Sequence, residues 1–320
     1  MKKIFSPINQ IGLAPMAGPG DSAFRRICRE WGADYTVTEM ISAKALQFGA
    51  DKTVALADHH PSEEPLLIQL FGRDPDAMEY AASFIEDRFH PIGIDLNMGC
   101  PAPKIFNNGD GSALLREPDL AAKLVEAAQR GCSCPVSVKM RIGITEPDNS
   151  VIDFAQLMEY AGASFITVHG RTREQFYAGQ ANYAMIRCIK ENVKIPVIAN
   201  GDVIDGASAK RILSETGADG IMLARGALGS PYVFRCIKDE LQGVPFNEIS
   251  LKERFDIALR QLKYAIEDKG EQRACVEFRK HLLWYLKGIN GASVFKVAAG
   301  QVSSMEDCAN LLDEVLLNQK

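Results

Sequence analysis

Short runs of β-branched and other apolar residues recur along the chain, each followed by a polar or glycine-rich turn. They fall at 11–16, 35–39, 66–71, 93–97, 136–140, 165–169, 196–200 and 220–224. Between them lie stretches in which apolar residues return every three or four positions, at 22–31, 76–86, 119–130, 151–161, 184–191 and 208–216. The first spacing suits extended strands and the second amphipathic helices. Strict alternation implies parallel strands joined by helical crossovers, and eight such units match a closed (β/α)8 TIM barrel better than an open sheet. The strand pattern stops after 226. Residues 251–269, 272–286 and 304–317 read as helices, with breaks at Gly270 and 288–291. The expected architecture is therefore an α/β barrel over 1–244 followed by a small helical domain over 245–320.

In such a barrel the loops after the strands converge on one mouth, so polar residues at strand ends are informative. Asn97, Lys139, His169 and Asn200 fall at strand ends, and Gln69 alternates between apolar neighbours inside its run. Any one of them alone reads as a satisfied core residue. Five at one mouth read as a site. Asn200-Gly201-Asp202 and Ala224-Arg225-Gly226 follow the seventh and eighth runs, the two loops where barrels commonly hold a phosphate. The most specific feature is Cys100, placed directly after a strand and ahead of Pro101 and Pro103, which stiffen its loop. That places a thiol at the mouth and not in the core.

Composition refines this picture in two ways. The net charge of the 320 residues is −5, which argues against nucleic acid, yet residues 252–296 carry ten Lys/Arg against six Asp/Glu, a local excess of +4. A basic face in the helical domain is one reading of this excess and a solvated helix surface is the other. The eight cysteines are scattered, with no CxxC pair, which points to free thiols in a reducing compartment and away from disulfides or a structural metal. The opening Met1-Lys2-Lys3-Ile4 lacks the apolar run of a signal peptide and no later run is long enough for a membrane span, so a cytoplasmic location is expected.

Taken together, these motifs resemble the tRNA-dihydrouridine synthases, in particular the B-type bacterial branch, over the whole chain. The resemblance rests on Ala-Pro-Met-Ala at 14–17, Thr-Glu-Met at 38–40, Gln69, Asn-Met-Gly-Cys-Pro at 97–101 with Lys104, and Gly-Ser-Ala-Leu-Leu at 111–115. It continues through Lys-Met-Arg at 139–141, His-Gly-Arg-Thr at 169–172, Ala-Asn-Gly-Asp at 199–202, Ala-Arg-Gly at 224–226 and Arg-Lys-His-Leu-Leu-Trp-Tyr at 279–285. The stretch 105–110 departs from that branch.

The resemblance implies an FMN across the mouth, with Pro15, Met16 and Ala17 as an apolar floor, Gln69 and Lys139 at the ring, and His169 as a hydrogen-bond donor to the cofactor. Asn200, Gly201, Asp202, Ala224, Arg225 and Gly226 would surround the phosphate. It implies NADPH as reductant, tRNA as substrate, Asn97, Arg141 and Tyr177 as uracil-binding residues, and Cys100 as the acid that protonates C5. No separate dinucleotide fingerprint is present, so the nicotinamide is expected to share the mouth with RNA in alternation. Beside Arg279, Lys280 and Lys287 stand Trp284 and Tyr285, and core packing is the expectation for Trp284. The phosphate loops and Lys139 alone would equally suit a flavin barrel acting on a free small molecule, of the dihydroorotate dehydrogenase kind. The helical domain with its local charge and the 97–101 segment favour RNA.

Overall fold

The structure, a computed structural model, describes residues 5–319; Met1 to Ile4, read above as lacking a signal peptide, lie outside the described residues, as does Lys320. Among the described residues nine parallel strands form one sheet: β1 (Ile11–Leu13), β2 (Tyr35–Val37), β3 (Ile41–Ser42), β4 (Leu66–Phe71), β5 (Gly93–Met98), β6 (Val136–Arg141), β7 (Ile166–His169), β8 (Val197–Asn200) and β9 (Gly220–Leu223). The sheet closes because β1 pairs with both β9 and β2, while β2 also pairs with β4. β3 is not a ninth stave. β2 pairs with Leu66 and Leu67 of β4, and β3 pairs with Leu70 and Phe71 further along the same strand, so together they make one interrupted stave.

The interruption explains why the expected strand at 35–39 ends early. The Thr38 hydroxyl accepts the Gln69 N–H at 3.0 Å, so a side chain takes the bond that would otherwise continue the ladder. Glu39 and Met40 are thereby released towards the mouth. The expected strand at 11–16 likewise stops at Leu13. Pro15 has no N–H to donate, and the chain turns out of the sheet.

The described residues pack into two apolar cores. Inside the barrel, Tyr35, Val37, Leu67, Phe165, Ile198 and Met222 fill the space, since alternate residues of every strand point inwards. Gly12 makes room for this plug, because a Cβ there would overlap the Tyr35 ring. The second core lies between barrel and helices and runs without interruption into the tail. There Leu251–Lys269, Glu271–Tyr285, Ala292–Ala299 and Met305–Asn318 are helical. The first tail helix packs on the first barrel helix, Ser22–Glu30, and charges fasten the contact: Arg26 to Glu267 at 3.0 Å and Lys269 to Asp21 at 2.6 Å. The helices Pro103–Asn107, Val233–Gln242 and Ala292–Ala299 and the turn Gly111–Arg116 were not expected from periodicity. Most are too short to show one.

Because barrel and tail share a core, a cavity in the tail is felt by both. Leu282→Ala, at a fully buried position, is expected to destabilise by about 2–5 kcal/mol. Thermal unfolding followed by circular dichroism should show one shifted transition, and an unshifted barrel transition beside a lowered tail transition would contradict the shared core.

Candidate active site

The C-terminal strand ends surround a cavity of about 410 Å³. A second recess of about 260 Å³ shares His169, Tyr177, Asn200, Ala224 and Arg225 with it, and continues to Gly201, Asp202, Gly226 and Lys287. All residues expected at the site meet here. Pro15, Met16, Ala17, Gln69, Asn97, Cys100, Lys139 and Arg141 line the larger cavity with the five shared residues, and Gly201, Asp202 and Gly226 line the recess.

Cys100 sits on the loop after β5, and that loop is held on both sides. Its N–H donates to Asn97 Oδ1 at 2.9 Å, and its carbonyl accepts from the Ser112 hydroxyl at 2.8 Å. Burial pushes the thiol up from its ordinary value, against the pull of the Ala102 N–H and the Arg141 charge. The group is therefore a thiol, not a thiolate, at neutral pH. Arg141 ties this loop to the one after β7: Nε donates to the Gly99 carbonyl at 2.9 Å, and Nη1 to the carbonyls of Thr172 and Phe176 at 2.7 and 3.0 Å.

Lys139 is largely withdrawn from water, and its Nζ donates to Asn200 Oδ1 at 3.1 Å. The amide of Asn200 is oriented by its other end, where Nδ2 donates to the Met222 carbonyl at 2.7 Å. Burial and then the neighbouring Arg141 push the Lys139 pKa down to about 8, with Asp95 opposing. His169 is driven far below its usual value by burial and by the charges of Lys139, Arg141, Arg171 and Arg225. Its imidazole is neutral, with one nitrogen to donate and one to accept. Tyr177, half exposed, lies under the guanidinium of Arg225, 4.6 Å from the ring centre.

Among the lining residues that were not expected at the site, two matter most. Arg171 is buried, and its Nη2 binds both carboxylate oxygens of Asp202 at 2.7 and 2.9 Å. Asp202 also accepts the Ala181 N–H, so its carboxylate is engaged and its charge neutralised. Nη1 of Arg171 is buried without a hydrogen-bond partner among the described residues, about 3.9 Å from where a Cβ on Gly201 would stand. Arg171 lies two residues beyond β7, outside the strand-end positions that sequence reasoning inspects. The other is Trp284, for which core packing was expected. The structure corrects this: Phe278, His281, Leu282 and Tyr285 form the buried stripe of their helix, and Trp284 stands one position off it, half-buried at the cavity. Gly229 lets the barrel approach, since a Cβ there would overlap the Trp284 backbone.

The recess has the character of an anion site. Gly226 brings the β9 loop against the β8 loop, where any Cβ would overlap the Val203 carbonyl oxygen, and Arg225 and Lys287 contribute positive charge beside the unpartnered Nη1 of Arg171. Among the described residues no group of three or more His, Cys, Asp or Glu is arranged to hold a metal ion. No helix among them is long and apolar enough to cross a membrane.

The profile described as "Dihydrouridine synthase (Dus)" matches residues 12–320. The chain belongs to the dihydrouridine synthase family. The tRNA-dihydrouridine synthase B of Pasteurella multocida is 36% identical over 300 residues, covering 93% of this chain and 90% of that protein. A probable tRNA-dihydrouridine synthase of Rickettsia prowazekii is 40% identical over 286 residues, covering 89% and 87%. Among solved structures, a 2-naphthoyl-CoA reductase complex superposes with a TM-score of 0.58 at 11% identity, covering 74% of this chain and 50% of that one. An old yellow enzyme homologue from Zymomonas mobilis gives 0.53 at 14%, covering 77% and 92%. At such identities these two likenesses establish the barrel fold and nothing finer. The segments 97–101 and 139–141, on the neighbouring strands β5 and β6 and the loops after them, lie side by side at the cavity.

A raised thiol pKa has a direct consequence. At pH 7 iodoacetamide should label Cys100 more slowly than the same cysteine in an unstructured peptide, with the gap narrowing as pH rises. Peptide mass mapping across a pH series measures this, and labelling faster than the peptide would mean a lowered pKa and an unsuitable acid.

Proposed function

We propose that this chain reduces the C5–C6 double bond of specific uridines in tRNA, using FMN at the barrel mouth and NADPH as reductant, with Cys100 as the proton donor. The observation that carries the reading is a protonated thiol on a braced loop, facing the same cavity as a largely buried lysine and opening into an anion recess. Family membership supports it from outside the geometry.

The residues present fit FMN. The segment 14–17 offers an apolar floor, Lys139 a cation beside the cavity, and the recess an unpartnered guanidinium N–H with a glycine-lined wall for one phosphate. When bound, FMN supplies the hydride that C6 of the uracil accepts. Hydride addition at C6 leaves enolate character at C5, because the double bond is conjugated to the C4 carbonyl, and C5 then needs a proton. Cys100 holds one at Sγ at neutral pH without needing a lowered pKa. Arg141 fixes the height of the Cys100 loop through Gly99 and presents charge to the cavity, and Asn97 and Tyr177 complete the uracil-facing wall.

A uracil inside a helical stack cannot enter this mouth, so the target base is splayed out of its RNA. Trp284 and the half-exposed Tyr177 offer faces on which a base can stack, and Lys280 and Lys287 stand near the rim, Lys280 donating to the Gly18 carbonyl at 2.6 Å. Arg279, the third cation of this group, is engaged with the Val302 carbonyl at 2.9 Å. In this reading residues 245–320 supply tRNA affinity and residues 1–244 the chemistry. NADPH uses the same mouth in alternation with RNA, and the free cysteines suit a cytoplasmic setting.

Two experiments test this. In the flavin-free protein Lys139 is cationic below pH 8 and loses its charge as pH rises through about 8. FMN uptake, followed by quenching of flavin fluorescence, should therefore weaken above that pH in the wild type. It should be weak and flat with pH in Lys139→Met. Uptake as strong in Lys139→Met as in the wild type would remove Lys139 from the cofactor's neighbourhood. Separately, Cys100→Ala should leave NADPH-driven flavin reduction near normal and slow reoxidation by tRNA about 10²–10⁴-fold, the usual cost of a lost general acid. Stopped-flow absorbance separates the two half-reactions, and full tRNA-dependent turnover in the variant would assign the proton to another group.

A further inference from the structure

Beneath Cys100 runs a line of hydrogen bonds that starts at Asp95, a residue to which the proposed chemistry gives no role. Asp95, on β5 and 2% exposed, accepts from the Ser137 hydroxyl on Oδ1 and from Gln69 Nε2 on Oδ2, both at 2.6 Å. Gln69, fully buried, accepts on Oε1 from Asn97 Nδ2 at 2.8 Å. Asn97 in turn accepts on Oδ1 from the N–H groups of Cys100 at 2.9 Å and Gly99 at 3.2 Å.

The polarity of this line has one source. Asn and Gln amides are nearly symmetric in shape, and either end can face a neighbour. Burial pushes the Asp95 carboxyl up, while the Ser137 and Gln69 hydrogen bonds and the Lys139 charge hold it down; as a carboxylate it has only lone pairs to offer. Facing Asp95, Gln69 must turn its NH2 inwards, which points its oxygen at Asn97. Asn97 must then turn its own NH2 to Gln69, and its oxygen is left for the Cys100 loop. Reversed, Asn97 would set an NH2 against two backbone N–H groups, leaving donors buried without acceptors.

We propose that Asp95 is a positioning residue, which through Gln69 and Asn97 sets the amide polarity that holds the Cys100 loop. Only its effect on turnover rests on Cys100 being the acid.

The test is the alkylation rate of Cys100 by iodoacetamide, read alongside tRNA-dependent flavin reoxidation. Asp95→Leu frees the relay and loosens the loop, and should raise the alkylation rate by about three- to tenfold, the span of one net hydrogen bond. Asp95→Asn should stay near the wild type, since its oxygen can accept from Gln69 while its NH2 donates to a rotated Ser137 hydroxyl. A carboxylate at position 97 accepts from Cys100 whichever way it lies, so it needs no instruction from Asp95. In an Asn97→Asp background Gln69 Oε1 faces a second acceptor and Asp95→Leu frees Gln69 to turn its NH2 to that carboxylate, so there the rate should not rise. Equal changes in both backgrounds, no change in either, or a loss in Asp95→Asn matching that in Asp95→Leu would each overturn the proposal. Gln69→Met, which cuts the line at its middle with an unbranched side chain, stands in should Asp95→Leu not fold. Alkylation that rises while reoxidation stays normal would support the relay and count against Cys100 as the acid.

Discussion

Two ionisable groups of opposite type lie on neighbouring strands inside the barrel, the fully enclosed carboxyl of Asp95 on β5 and, two register positions further along, the largely enclosed ammonium of Lys139 on β6. Burial pushes the Asp95 carboxyl up and the Lys139 ammonium down, and each group opposes the other's shift, as opposite charges should. The polar groups at the mouth are arranged around satisfying these two. On one side Lys139 meets Asn200, whose amide is turned by the Met222 carbonyl, and this leads into the β8 loop and the anion recess. On the other, Asp95 is answered by Ser137 and Gln69, and this leads through Asn97 to the thiol. Two lines of hydrogen bonds thus diverge from a buried pair to the two ends of the cavity.

Such an arrangement needs a rigid frame, and the barrel's alternation provides it. Inward-facing residues of successive strands stack in layers, with Tyr35, Leu67, Phe165, Ile198 and Met222 closing the bottom and the polar layer resting above. Water is kept from the polar layer on that side, which is why its hydrogen bonds set orientation and its ionisable groups shift so far. Where the frame is broken, the break has a local cause. The Thr38 hydroxyl replaces a ladder acceptor and releases Glu39 and Met40, and Met40 then lines the cavity.

The tail belongs to the same construction. It shares the outer core, it contributes Trp284 to the cavity, and it brings Lys287 to the recess, so residues far apart in sequence finish one mouth. Arg141 does the equivalent within the barrel, holding the loops after β5 and β7 at a fixed separation through carbonyls on both. A cavity built this way keeps its shape, because its walls are joined to each other and not only to their own strands.

The eight staves, the main crossover helices, the closed parallel barrel and most residues at its mouth were legible in the chain itself. They depend on local periodicity, of two for strands and near 3.6 for helices, and on which residue ends each strand. Gln69, Asn97, Lys139, His169 and Asn200 were found by that rule, and Cys100 by its place after a strand with prolines beside it. Contacts between distant segments were not legible. Arg171 holds Asp202, Tyr285 enters the tail core while its neighbour Trp284 turns to the cavity, and a carboxyl at 95 decides which way an amide at 97 points. Each of these depends on partners tens of residues away. A hydrogen bond has direction and a side chain has a face, and neither is set until the chain has closed and put the partner opposite.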